Sequence, residues 1–283
     1  MNNLSNYQHA AELIEQADAL VIAAGAGMGV DSGLPDFRGN DGFWKAYPAL
    51  AAAKLDFMDV ASPRTFKNDP KLAWGFYGHR LTLYRQTIPH QGFHILRGWC
   101  DRMLLGSWVF TSNVDGQFQK AGFPEDAIHE CHGSIHQLQC LNNCILDTWD
   151  ARHYLPSVNA ETCQLLNELP ACPHCGGLAR PNILMFGDEN WQYLQSEIQR
   201  RREDRWLAML EENNARLVVV ELGAGTAIPS VRHFSQRIIH EYGGRLVRIN
   251  PRESLVPSSY DVGIGTGSLE ALQGIEQQMS SYD

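Results

Sequence analysis

Two short apolar runs, Leu20-Val21-Ile22-Ala23-Ala24 and Leu217-Val218-Val219-Val220, each lead into a glycine-rich turn: Gly25-Ala26-Gly27 after the first and Gly223-Ala224-Gly225 after the second. A continuous run of this kind has no polar face to offer water, so each reads as a strand covered on both sides, the usual state of a strand in a parallel sheet. Ser107–Thr111, Ile183–Phe186 and Leu246–Ile249 are expected as further central strands, and Ala127–Glu130 is strand-like. Helical spacing fills several intervals. Val231–Tyr242 stops at Gly243-Gly244, and Leu269–Met279 reads as a closing helix. This alternation predicts an α/β fold with a Rossmann-like, doubly wound parallel sheet. Two stretches interrupt it, one rich in aromatics and alanine, the other in cysteine. The expected organisation gives 1–40, 83–135 and 179–283 to the sheet domain. Residues 41–82 form the helical part, and 136–178 the zinc-binding part, of one smaller inserted domain.

The cysteines fall in pairs, Cys140 with Cys144 and Cys172 with Cys175. Two soft thiolate pairs suit tetrahedral zinc, whose structural sites are closed by four protein ligands. In Cys172-Pro173-His174-Cys175-Gly176-Gly177 the trailing glycines let backbone amides turn toward sulfur. The first pair is more loosely spaced than in zinc ribbons, so His174 can compete as a ligand and Cys163 can stand in for Cys144. Buried unrelated thiols are the competing explanation, because free cysteine packs as a small hydrophobe.

An odd total of seven cysteines with a metal-like subset argues for a reducing compartment over a disulfide framework. No stretch of about 18 apolar residues occurs, and the first residues lack a basic segment followed by an apolar one, so membrane insertion and secretion are not expected and the location is read as cytoplasmic. The net charge of −9 disfavours nucleic acid as a partner, since neutralising phosphate needs a basic face. Arg200-Arg201-Arg202 is followed at once by Glu203 and Asp204 and reads as a solvated helix face.

The turn opened by Gly25, Ala26 and Gly27 can present amides to a diphosphate without Cβ interference, although such turns also serve chain reversal alone. Asp36, Phe37 and Arg38 follow on a loop, where Phe37 can shield a reactive carbon from water and Arg38 can pair with phosphate. Ser112, Asn113, Val114 and Asp115 lie at the carboxyl end of a strand, where open parallel sheets bind ligands. Asn113 and Asp115 flank Val114, so an amide and a carboxylate can point into one crevice, or simply cap a helix. His132 is followed by Gly133 and can take a proton near neutral pH, with His129 and His136 as neighbouring alternatives.

In order along nearly the whole chain, these motifs resemble the sirtuin family of NAD-dependent protein lysine deacylases. The segments that carry the likeness are Gly25 to Gly39, Thr111 to Gly116, His132 to Ser134, the cysteine pairs, Arg180 to Gly187, Gly223 to Pro229 and Asn250. The resemblance implies a Rossmann-type domain beside a zinc-bearing one, with NAD and an acyl-lysine protein substrate meeting between them. It implies that Ala26, Asp36, Phe37 and Arg38 belong to a cofactor loop, and that Asn113 and Asp115 hold nicotinamide and ribose with Val114 behind. By the same likeness His132 is the general base and Gly223, Gly225 and Thr226 underlie the adenosine half. Asn250 lies near its ribose, and Met185, Phe186 and Gly187 meet the substrate backbone.

Three positions depart from the family pattern. Gly29 stands where serine is usual, Ser112 where glutamine is usual, and Gly223-Ala224-Gly225-Thr226 replaces a Gly-Thr-Ser arrangement. Tyr77 and Arg80, three apart on an expected helix, share a face, and with the small Ala61 they resemble the subgroup that removes succinyl, malonyl and glutaryl groups. Decoration of a helix surface is the plainer reading of that pair. ADP-ribosyl transfer or NAD hydrolysis is the alternative activity, prompted by Ser112 and Gln117–Phe123, and retention of His132 speaks against it.

Overall fold

A computed structural model describes residues 3–36 and 39–279, so the roles expected of Phe37 and Arg38 fall outside the described residues. The strands are β1 (Ala19–Ala24), β2 (Ser107–Thr111), β3 (Ile128–Glu130), β4 (Gly133–Cys140), β5 (Trp149–Asp150), β6 (Val158–Asn159), β7 (Gln164–Leu165), β8 (Ala179–Ile183), β9 (Leu217–Leu222), β10 (Arg245–Ile249) and β11 (Val262–Ile264). The helices are α1 (Asn3–Glu15), α2 (Gly39–Ala46), α3 (Pro48–Ala52), α4 (Phe57–Val60), α5 (Pro63–Asn68), α6 (Pro70–Gln86), α7 (Gln91–Cys100), α8 (Gln117–Lys120), α9 (Leu194–Glu212), α10 (Ser230–Glu241) and α11 (Ser268–Met279).

The described residues form one six-stranded parallel sheet in the order β11-β10-β9-β1-β2-β3. Chain order reverses between β1 and β9, which pair from Ala19↔Leu217 to Ala24↔Leu222. Every residue of both strands is buried. Because side chains alternate across a strand, Leu20, Ile22 and Ala24 join the core under α1, α7 and α11. Ala19, Val21 and Ala23 join the core under α9 and α10. Each buried aliphatic side chain stabilises the sheet by roughly 1.5–3 kcal/mol, so both faces need their helices. None of the described helices is long and apolar enough to cross a membrane.

The expected central strand at Ile183–Phe186 is a correction. Ala179–Ile183 pairs antiparallel with β4 in a separate three-stranded sheet, β5-β4-β8, and Leu184–Phe186 leave the strand. A short apolar run reads alike wherever both its faces are covered, and here the cover is a second core. That core joins α2 to α6 with β4 and β8 through Phe43, Trp74, Phe76, Tyr77, Ile135 and Ile183. Trp74 Nε1 donates to the Ala179 carbonyl at 2.9 Å, fastening α6 to β8.

One charge cluster is fully enclosed by the main sheet. Glu221 on β9 lies opposite Arg248 on β10 and accepts from its Nε at 2.6 Å and its Nη2 at 3.2 Å, while Arg232 of α10 stands 3.5 Å away. Removing one member of such a buried group leaves the others uncompensated. Glu221→Leu is therefore expected to destabilise the protein by about 3–5 kcal/mol, measured by urea unfolding, and Glu221→Leu with Arg248→Met by less.

Candidate active site

The two glycine turns meet at the point where strand order reverses. Gly25 N donates to the Leu222 carbonyl at 2.9 Å, Gly27 N to the Gly223 carbonyl at 3.1 Å, and Gly223 N to the Ile249 carbonyl at 3.0 Å. A Cβ on Gly25 would stand 2.8 Å from the Gly223 carbonyl oxygen, and one on Gly223, at φ +58, would stand 2.4 Å from Gly27 backbone. Only glycine allows backbones this close, and the carboxyl ends of β1 and β9 thereby form a cradle in which the two turns pack backbone to backbone. Asn250 supports it from below. Its Nδ2 and the Arg232 guanidinium all donate to the Ala224 carbonyl, at 2.8 to 3.1 Å.

The end of β2 is tied to the same cradle. Thr111 Oγ1 donates to the Ala24 carbonyl at 2.9 Å and accepts from Asn113 N at 3.0 Å, and Asn113 Nδ2 donates to the Gly25 carbonyl at 3.0 Å. With Nδ2 so engaged, the Asn113 side-chain oxygen remains as an acceptor. Asp115 Oδ1 accepts from Gln117 N at 2.9 Å. Burial pushes the Asp115 carboxyl up to about 6, against the Gln117 amide and the nearby Arg80 charge. His132 follows β3, and its Nε2 lies 3.0 Å from Ser230 Oγ at the start of α10. Burial lowers the His132 pKa below the ordinary imidazole value, which keeps the ring neutral at physiological pH.

A cavity of about 580 Å³ opens over these groups. The sheet loops supply Gly25, Ala26, Gly223, Gly225 and Thr226 to its wall, and Asp36 joins them. The ends of β2 and β3 supply Ser112, Asn113, Val114, Asp115 and His132, and the helical cluster with the segment after β8 supplies Ala61, Tyr77, Arg80, Met185 and Phe186. Gly27, Asn250 and Gly187, also expected at the site, stand outside this lining: Gly27 packs beneath Gly223 and Asn250 beneath Ala224. Two backbone bonds bridge the wall, Leu184 N to the His132 carbonyl at 2.9 Å and Phe186 N to the Ala61 carbonyl at 3.0 Å. Sequence reasoning overlooked Tyr84 and Ser230. Tyr84 could have been found from its spacing, one helical turn after Arg80. Ser230 carries no local signal, since only folding brings it to His132.

Apart from this cavity, the four sulfurs of Cys140, Cys144, Cys172 and Cys175 lie within 4.8 Å of one another, with Cys140–Cys175 at 3.7 Å and Cys144–Cys172 at 3.5 Å. Four thiolates around zinc at about 2.3 Å stand roughly 3.8 Å apart, so the cluster fits one structural zinc ion closed by protein ligands. Gly177 N points at Cys175 Sγ at 3.4 Å. Cys163 is elsewhere, buried in the helical core with its carbonyl against Gly75, and His174 is not in the cluster.

A model of the Sir2 family matches residues 25–215. The chain belongs to the Sir2 family. An NAD-dependent protein deacylase of Pyrococcus furiosus is 30% identical over 87% of this chain and 86% of its own length. An NAD-dependent protein deacetylase of Shouchella clausii is 29% identical over 84% of each chain. A solved Sir2 homolog–NAD complex superposes with a TM-score of 0.70 at 23% identity, covering 97% of this chain and 94% of that one, a likeness of fold.

Purified protein is expected to carry one zinc per chain by elemental analysis, and Cys175→Ala to lose it with a lower thermal midpoint. Near Asp115, burial pushes Glu130 up to about 7, the Asp115 charge adding to it against hydrogen bonds from Gln119, Ser134 and Gln199. A carboxyl whose folded pKa is raised favours the native state below its unfolded pKa, and that contribution is lost as pH rises through about 7. Glu130→Gln is therefore expected to gain stability relative to the parent between about pH 5 and about pH 8, by up to about 3 kcal/mol, read from denaturant midpoints at each pH.

Proposed function

We propose that this chain is an NAD-dependent protein lysine deacylase that moves an acyl group from lysine to ADP-ribose, and that it accepts acidic acyl groups. The observation that carries the reading is one cavity whose wall includes both glycine turns, the Asn113–Asp115 pair, His132 and an apolar recess. The relatives named above support the activity class. NAD, when bound, supplies a ribose carbon that takes the acyl oxygen as nicotinamide leaves.

The chain's own groups divide the remaining work. The amides of Gly25, Gly27 and Gly223 are spent on bonds inside the fold, so what these glycines give a diphosphate is a wall in which two backbones pack closely, with Gly25, Gly223 and Gly225 facing the cavity. Asn113, held by Gly25, and Asp115, held by Gln117, are fixed before ligand arrives, so little ordering is lost on binding. Asp115, on the cavity wall, would supply a carboxylate to balance positive charge developing on bound NAD. His132, neutral because it is buried, takes a proton from a ribose hydroxyl at an imidazole nitrogen. Phe57, Met185 and Phe186 exclude water from the acyl recess, where hydrolysis would compete with transfer.

The recess holds a phenol and a guanidinium. Burial pushes the Tyr77 hydroxyl up to about 12, so it stays a donor, and Arg80 is buried among aromatic rings. An acetyl group gives such a pair nothing to bind, whereas a succinyl, malonyl or glutaryl carboxylate does. Ala61, with a small side chain on the same wall, leaves width for the longer acyl chain.

Incubation with NAD and matched acetyl-lysine and succinyl-lysine peptides is expected to release nicotinamide only when peptide is present, with loss of the acyl mass from each. Arg80→Met is expected to lose desuccinylation and keep deacetylation. Nicotinamide release with both peptide masses unchanged would sink the deacylase reading, and equal loss of both activities in Arg80→Met would sink the acidic-acyl part.

A further inference from the structure

Tyr77, Arg80 and Tyr84 are spaced three and four apart on α6 and share one face, and all three line the cavity. The Arg80 guanidinium carbon lies 5.2 Å from the Phe76 ring centre, 5.5 Å from that of Tyr77 and 5.4 Å from that of Tyr84. Attraction between a cation and ring faces holds the group in place but is tolerant of how the guanidinium turns in its own plane. A hydrogen bond is directional, and here Arg80 Nε donates to the Tyr84 hydroxyl at 3.0 Å.

A guanidinium can meet a carboxylate along its Nε/Nη2 side or at its Nη1/Nη2 end. The bond to Tyr84 takes the Nε side. Tyr84 is buried on α6 in the helical core, and the packing around its ring limits where its hydroxyl can stand. We propose that Tyr84 is a specificity-determining positioning residue: its hydroxyl, by holding Arg80 Nε, presents the Nη1/Nη2 end of the guanidinium to the carboxylate of an acidic acyl group. The inference rests on the acidic-acyl reading above and adds a residue to it. Tyr84 touches the arginine, and through it decides which acyl group is favoured.

Tyr84→Phe removes the hydroxyl and keeps the ring against Arg80. Kinetics with NAD and each of the two peptides are measured for the parent, Tyr84→Phe, Arg80→Met and the double variant. Tyr84→Phe is expected to raise the KM for the succinyl peptide about ten-fold relative to that for the acetyl peptide, the low end for losing a hydrogen bond to a charged group. In the Arg80→Met background, where desuccinylation is expected to be lost, the ratio is read instead as the inhibition constant of each peptide against a third acyl-lysine substrate, and Tyr84→Phe is expected to leave it where Arg80→Met set it, because the two residues act as one unit. The KM ratio does not depend on what fraction of the enzyme is folded. A proportional change for both peptides, or the same shift with and without Arg80, overturns the role of Tyr84. If Arg80→Met remains selective in that case, the acidic-acyl reading stands without it. A parent enzyme with no action on the succinyl peptide overturns both.

Discussion

The backbone contact between the Gly25 and Gly223 turns is the constraint on which the rest of this structure depends. It exists because β1 and β9 are neighbours in register, buried on both faces, and end at the same level. The turns bring little apolar surface of their own, Ala224 alone of Gly25-Ala26-Gly27 and Gly223-Ala224-Gly225 being packed into a core, so the sheet beneath supplies most of the stability. The buried group of Glu221, Arg248 and Arg232 extends that support upward: Glu221 anchors the arginine that, with Asn250, secures the Ala224 carbonyl. Charges removed from water at such cost serve here to fix the position of a loop.

The second sheet is built on a two-strand ladder with different jobs at its two ends. β4 and β8 pair from Gly133↔Ile183 to Cys140↔Ala179. At the first end the chain has just left His132 and is about to become the Leu184–Phe186 wall of the cavity. At the other end Cys140 joins the sulfur cluster. A strand of this length separates the two by roughly 20 Å, so the zinc acts by holding the ladder rather than by touching the cavity. Arg180 and Asp188, both with fully buried side chains and joined at 2.7 and 2.9 Å, brace the turn that follows β8.

The cavity itself is a place where the fold stores unfavourable arrangements. Asp115 on its wall, and Glu130 near Asp115 but outside the lining, are carboxyls kept from water, and His132 is an imidazole kept from its charge. Each of these favours the uncharged form and so weakens folding when the pH drives ionisation, which is the expected cost of groups poised for proton transfer and charge stabilisation.

Much of this was readable from residue order alone. Runs such as Leu20–Ala24 and Leu217–Val220 announce buried strands because local apolarity is itself the cause of burial, and a glycine turn after each states where backbones come close. Cysteine pairs state their chemistry by type. Local pattern does not tell that Ile183 ends a strand of the second sheet and that Leu184–Phe186 leave it, since a run covered on both sides reads the same in either core, and Val262-Gly263-Ile264 is too short and glycine-broken to read as a strand at all. Whether Cys144 or Cys163 completes the sulfur cluster, that Ser230 meets His132, and that Asn250 lies beneath the cradle instead of on the cavity wall were decided by tertiary structure. These are distances between residues far apart in the chain, and no local pattern encodes a distance that only the packing of the helices and two sheets sets.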